Sequence, residues 1–143
     1  MISFVCDSRP RSVQAKRTNK YKNEIKEAFS KYYPEVTEKL NYSLYGLVYY
    51  FHKRPTDIDA DNLSKPIWDA LESILYDNDK IIKIRKAGVY QINKTGESFD
   101  IDITNMPSNV SQEFLEYLDT KEHILYIEIG KVCNEMYEIG VEL

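Results

Sequence analysis

Apolar positions along the chain follow two rhythms. "ISFVC" (2–6) is a short apolar, β-branched run and predicts a strand. Beyond the basic loop "DSRPRSVQAKR", Tyr21, Ile25, Ala28, Phe29 and Tyr32 recur at helical spacing. They predict a helix from Asn19 to about Tyr33, ended by Pro34. "YSLYGLVYYFH" (42–52) is aromatic and β-branched and predicts a strand. "KRPTDIDAD" reads as a loop, since Pro55 breaks pairing and Asp favours turns and caps. Leu63, Ile67, Ala70, Leu71 and Ile74 then line one helical face from about Leu63 to Leu75, with Asp61 or Asn62 as cap and Pro66 in the first turn. "YDND" is a turn. "KIIKIRKAGVYQI" (80–92) predicts a strand bulged at Gly88, and "FDIDITN" (99–105) alternates cleanly, so the two predict a hairpin. From Met106 to Leu143, "SQEFLEYLD" predicts a short amphipathic helix after an Asn109 or Ser111 cap, and "HILYIEIG" a strand.

The 143 residues suffice for one domain with a real core. Hydrophobic residues at 43% and charged ones at 29% are ordinary for a globular chain. No apolar run approaches a membrane span, and "MISFVCDSRP" lacks the pattern of a signal peptide. Cys6 and Cys133 belong to no CxxC or Cys/His cluster, so disulfide and zinc readings have no support and a cytoplasmic location is expected. The net charge of −4 is unevenly spread. Residues 1–56 carry 11 Lys and Arg against 5 Asp and Glu, whereas residues 57–143 carry 8 against 18. A basic half beside an acidic half points weakly to a polyanion partner.

The acids cluster where the chain should fold on itself. Asp57, Asp59 and Asp61 precede the second helix, and Asp77 and Asp79 follow it. Carboxylates held close together repel and raise each other's proton affinity unless a cation joins them. Mg²⁺ takes such oxygens and keeps waters for substrate phosphates. Asp59 and Asp61, two apart, point the same way in an extended loop. A helix of about 13 residues spans roughly 20 Å, so Asp79 meets them only if the chain returns along it. A calcium loop counted from Asp57 needs Gly at its sixth position and Glu at its twelfth; Asn62 and Trp68 stand there. Solvated caps and turns are the plain alternative for these acids.

The stretch Asp59-Ala60-Asp61-Asn62-Leu63, then Lys65-Pro66-Ile67-Trp68-Asp69-Ala70-Leu71, then Asp77-Asn78-Asp79 resembles the signature of RusA-type crossover-junction endodeoxyribonucleases. "RPRSVQAKRTNKYKNEI" is similar to an N-terminal segment of many members, and the resemblance covers residues 1 to about 104. The chain departs from the family pattern at Asn78, where an Asp is usual, and at Ile81, where a Gln is usual.

The resemblance implies an α+β domain over residues 1–105, with a mixed or antiparallel sheet and helices packed on one side. Residues 106–143 are then an acidic C-terminal extension of unknown role, packed on the same domain. It implies Mg²⁺-dependent hydrolysis of phosphodiesters in Holliday junctions, with Mn²⁺ a possible substitute, in recombination and repair. Asp59, Asp61 and Asp79 would be the metal-binding catalytic acids, with Asp77 an alternative third ligand. Lys65 would stand beside the scissile phosphate, Asn62 would cap and orient, and Asp69 has a structural reading at least as good. The implied partners are branched DNA and a second copy of the chain in a homodimer; no membrane is implied. Phosphate contacts would come from Arg9, Arg11, Lys16, Arg17, Lys20 and Lys22, with Lys53 and Arg54 beside the acids. Lys83, Arg85 and Lys86 extend that surface. The alternatives are a nuclease of other branched DNA and an inactive DNA-binding protein of the same fold.

Overall fold

The computed structural model describes residues 1–12, 15–35, 38–93, 98 and 100–140. Four strands form one open, mixed sheet: β1 (Ile2–Cys6), β2 (Leu44–His52), β3 (Ile82–Gln91) and β4 (His123–Lys131). Their order is β1-β4-β2-β3. β4 lies antiparallel to both β1 and β2, while β2 and β3 are parallel. The helices are α1 (Thr18–Tyr32), α2 (Ala60–Leu63), α3 (Lys65–Leu71) and α4 (Ser108–Thr120). This is an α+β arrangement in a single domain.

Alternation along the strands divides the apolar residues between two faces. Phe4, Val48, Tyr50, Leu125, Ile127 and Ile129 pack with Tyr21, Ile25 and Phe29 of α1 and with Leu63, Ile67, Trp68 and Leu71 of the crossover. Val5, Phe51, Ile124 and Tyr126 face the other way, against Val110 and Phe114 of α4. The expectation of helices on one side therefore holds for α1, α2 and α3. α4 covers the opposite face, because strands apolar on both sides need cover on both.

The tail is part of the sheet. β4 is an inner strand, bonded to β2 from Leu44↔Lys131 to His52↔His123 and to β1 on its other side. Strand alternation shows that 123–130 is a strand; it does not show which strands it joins.

Three local expectations change. Among the described residues the expected hairpin of 80–92 with 99–105 is not seen: β3 pairs there with β2 alone, and Ile101, Asp102 and Ile103 are not strand. Phe99 lies outside the described residues. Ile103 and Met106 instead pack on the α4 side, so the alternation there reflects a loop crossing an apolar face. The irregularity between β2 and β3 lies at Leu44/Tyr45, and Gly88 pairs regularly with Tyr49. The helix expected over 63–75 begins earlier, is interrupted at Ser64, and stops at Leu71. It stops there because Glu72 is extended (ψ 141°) and Ser73 adopts the left-handed region (φ 70°), which reverses the chain. The turn is held by Ser73 N–H to the Tyr76 carbonyl (2.7 Å) and by the Tyr76 hydroxyl to the Trp68 carbonyl (2.6 Å), which satisfies a free helix-end acceptor.

Gly46 is what lets α3 lie flat on β2. A Cβ there would stand 2.8 Å from the Trp68 ring, so only glycine admits the fully buried indole.

Candidate active site

The crossover from β2 to β3 carries every acid of the motif. Asp59 is the residue that caps α2: its Oδ1 accepts from Asn62 N–H at 3.0 Å, in place of the Asp61 or Asn62 cap expected. Asp61 sits exposed in the first turn of α2. α2 packs beside β3, the strand into which Asp79 leads.

The reversal at Ser73 returns the chain toward the start of α3. Asp79 opens a one-turn 3₁₀ segment (Asp79–Ile81) capped by Asn78, whose Oδ1 accepts from Lys80 N–H at 2.9 Å. Its backbone N–H donates to Glu72 Oε1 at 3.0 Å. Its carboxylate accepts from Lys65 Nζ at 2.5 Å, and Arg85 Nη2 lies 3.6 Å away while donating to the Asp79 carbonyl at 2.7 Å. Lys65 also reaches Asp69 Oδ1 at 2.9 Å, and Lys22 stands 4.0 Å from Asp69 Oδ2.

Asp79 is 8% exposed. Burial alone would raise its pKa, but the Lys65 hydrogen bond and the charges of Lys65 and Arg85 outweigh it and hold the carboxyl below the usual range. The bonds to Asp79 and then Asp69 raise the Lys65 pKa, so both partners stay charged at neutral pH. Asp77 turns elsewhere: it is 85% exposed and pairs with Lys39 at 2.8 Å.

The basic residues divide as sharply. Arg54 pairs with Glu122 at 3.0 Å, Lys20 lies 3.9 Å from Glu24, and Lys22 faces Asp69. Arg9, Arg11, Lys16, Arg17 and Lys53 make no ion pair among the described residues. Arg9 and Arg11 line a cleft of about 240 Å³ together with Thr56, Asp57, Ile58 and Asn62. The β1–α1 loop thus lies against the acid-bearing loop.

The hard oxygen donors of these acids suit a divalent cation such as Mg²⁺. Their arrangement is not a closed set: among the described residues no three His, Cys, Asp or Glu side chains group as a metal ion needs. Asp59 is engaged as a cap and Asp79 by two cations.

Sequence reasoning missed Glu72 and the inward role of Arg85, which had been assigned only to an outer surface. No periodicity marks either one, because both are defined by where Asp79 arrives. It also missed His123, placed opposite His52 by the β2–β4 register.

One crossover of this α+β domain thus carries the D-x-D-N loop, the Lys-Pro helix start and the buried return Asp. Compared with known families, residues 6–103 match endodeoxyribonuclease RusA. The match spans more than half the chain, and the chain belongs to that family of endodeoxyribonucleases. A search of curated proteins returned no match. The matched segment ends before α4 and β4, so the inner strand β4 comes from outside it. No helix among the described residues is long and apolar enough to cross a membrane.

Proposed function

We propose that this chain is a Mg²⁺-dependent resolvase of four-way DNA junctions, working in recombination and repair as a homodimer. The observation that supports it most is the return of Asp79 onto Lys65 inside the residues that match the family. A four-way junction has two-fold symmetry, and two copies of the chain related by one axis supply two symmetric nicks. Each nick is hydrolysis of a phosphodiester by water, leaving 5′-phosphate and 3′-hydroxyl ends.

The residues divide the work. Asp59, Asp61 and Asp79 would supply carboxylate oxygens for the cation, and Mn²⁺ would serve in place of Mg²⁺. Held there, such an ion would supply charge neutralisation at the phosphoryl oxygens and a lowered pKa for water. Lys65, held between Asp79 and Asp69 with its side chain 47% exposed, keeps an ammonium at the surface for the scissile phosphate. Arg9 and Arg11, free of ion pairs among the described residues, draw the DNA backbone to the acid loop.

Incubating purified protein with a synthetic four-way junction, a fork and a linear duplex, with Mg²⁺ or with EDTA, tests this. Paired nicks in the junction alone, abolished by EDTA, are expected. Equal cleavage of fork and junction would move the substrate to branched DNA generally. The dispersed acids and Asn78 favour one second reading, an inactive DNA-binding protein of the same fold. That reading predicts junction binding with no product at any Mg²⁺ or Mn²⁺ concentration.

A further inference from the structure

A second concentration of positive charge lies beyond the acid cleft, at the loop between β1 and α1. A cavity of about 200 Å³ is walled there by Arg9, Arg11, Arg17, Lys20 and His123. Two carboxylates share the wall, and both are already engaged: Asp7 lies 3.2 Å from Lys121, while Glu24 accepts from the Ser8 hydroxyl and faces Lys20. Arg9, Arg11 and Arg17 therefore keep their charge uncompensated by any ion pair among the described residues. Tyr21 also lines the cavity, and its buried hydroxyl has no partner among the described residues.

His123 offers one free ring nitrogen to the cavity. Its Nδ1 is 2.7 Å from the Tyr50 hydroxyl. Burial pushes the Tyr50 pKa up to about 12, so at neutral pH that hydroxyl keeps its proton. That hydroxyl occupies Nδ1, so Nε2 is the ring nitrogen left for a ligand. Burial, then the charge of Arg9, hold the imidazole pKa below its usual value, so the ring is neutral at pH 7. Nε2 has no hydrogen-bond partner among the described residues. An unpartnered imidazole nitrogen beside uncompensated guanidinium groups suits a phosphate group, which takes bidentate contacts from Arg and a single directed one from His.

We infer that this cavity is a phosphate subsite for the DNA strand, in which Arg9, Arg11 and His123 hold one backbone phosphate next to the acid-bearing loop. The inference rests on the nuclease reading and adds a residue from β4, outside the segment that matches the family. Arg9 and Arg11 line both clefts, so a strand crossing Asp57 and Asn62 continues into the cavity. Arg17 and Lys20, at the start of α1, close its far side with further charge.

The chain has two histidines, which makes the test direct. Imidazole resonances of the full-length protein are followed in EDTA, first with inorganic phosphate and then with an intact four-way junction. The His123 signals are expected to move with both. Those of His52, buried with Nδ1 on the Arg54 carbonyl, are expected to stay. Arg9→Ala/Arg11→Ala, confined to the loop, should abolish the phosphate response, and His123→Ala should weaken junction binding three- to tenfold. His123 signals unmoved by saturating junction would overturn the inference even if cleavage is intact. Movement with phosphate but not with junction would overturn it too, as a site for free phosphate. Movement with junction but no cleavage in Mg²⁺ would uphold the subsite and sink the nuclease reading.

Discussion

The acidic crossover and the basic β1–α1 loop face each other across one cleft, yet they handle charge in opposite ways. In the crossover, Asp79 meets Lys65 and Arg85, Asp69 meets Lys65 and Lys22, and Asp59 caps a helix. In the basic loop, Arg9, Arg11 and Arg17 form no ion pair among the described residues. Charge that is paired internally holds the fold; charge left unpaired on a concave surface is available to a partner of opposite sign. Within the crossover the same contrast recurs in miniature, since Asp79 is buried and cross-linked while Asp61 is exposed.

That inner contrast yields the largest expected effects. Asp61→Asn and Asp79→Asn should each lower junction cleavage by about a thousandfold, the scale of losing a group that stabilises transition-state charge. They should separate on stability. Asp79→Asn leaves Lys65 and Arg85 without their shared anion and should cost roughly 1–3 kcal/mol by urea denaturation. Asp61→Asn, on an exposed turn, should stay within about 0.5 kcal/mol. Equal stabilities would mean that the Lys65–Asp79–Arg85 contacts contribute nothing to the fold.

Arg85 sharpens the point one step further out. It binds the Asp79 carbonyl at 2.7 Å and touches its carboxylate without belonging to the acids themselves. Arg85→Ala should reduce cleavage by about 10- to 100-fold, as for a supporting residue behind a catalytic one. The loss should appear in kcat more than in junction affinity, because the DNA contacts are left in place. A loss confined to affinity would make Arg85 a phosphate contact.

The basic side responds differently. Arg9→Ala/Arg11→Ala should weaken junction binding by about tenfold and flatten the dependence of log affinity on log salt by roughly two. Cleavage at saturating junction should change little. An unchanged salt slope would remove these arginines from the DNA interface.

How much of this was readable beforehand depended on range. β1, α1, β2 and the tail's helix and strand follow from periodicity, because burial of one face dictates the residues locally. The end of the crossover helix did not, since Ser73 takes the left-handed region with no glycine to announce it. The 99–105 alternation misled, because a loop lying over an apolar face repeats the same pattern. The motif acids were legible as a set; the Asp79–Lys65 pairing needed the turn. Glu72 and His123 acquire their neighbours only through tertiary structure, Glu72 by the chain's return and His123 by the pairing of β4 with β2.

The smallest expected effect tests the assignment of the third acid. Asp77 and Asp79 are two residues apart, and by spacing alone either could complete the acids. Asp79 opens the 3₁₀ segment that Asn78 caps, whereas Asp77 lies outside it, and the two carboxylates go separate ways. Asp79 turns inward to Lys65, while Asp77 reaches Lys39 at the surface. An exposed pair of this kind contributes about 0–1 kcal/mol, and here both side chains are largely in water. Asp77→Asn should therefore leave cleavage within about twofold of the parent and stability within about 0.5 kcal/mol. A loss of cleavage on the scale of Asp79→Asn, with Asp79→Asn itself active, would transfer the role to Asp77 and require the turn at Ser73 to be rebuilt when DNA and cation bind.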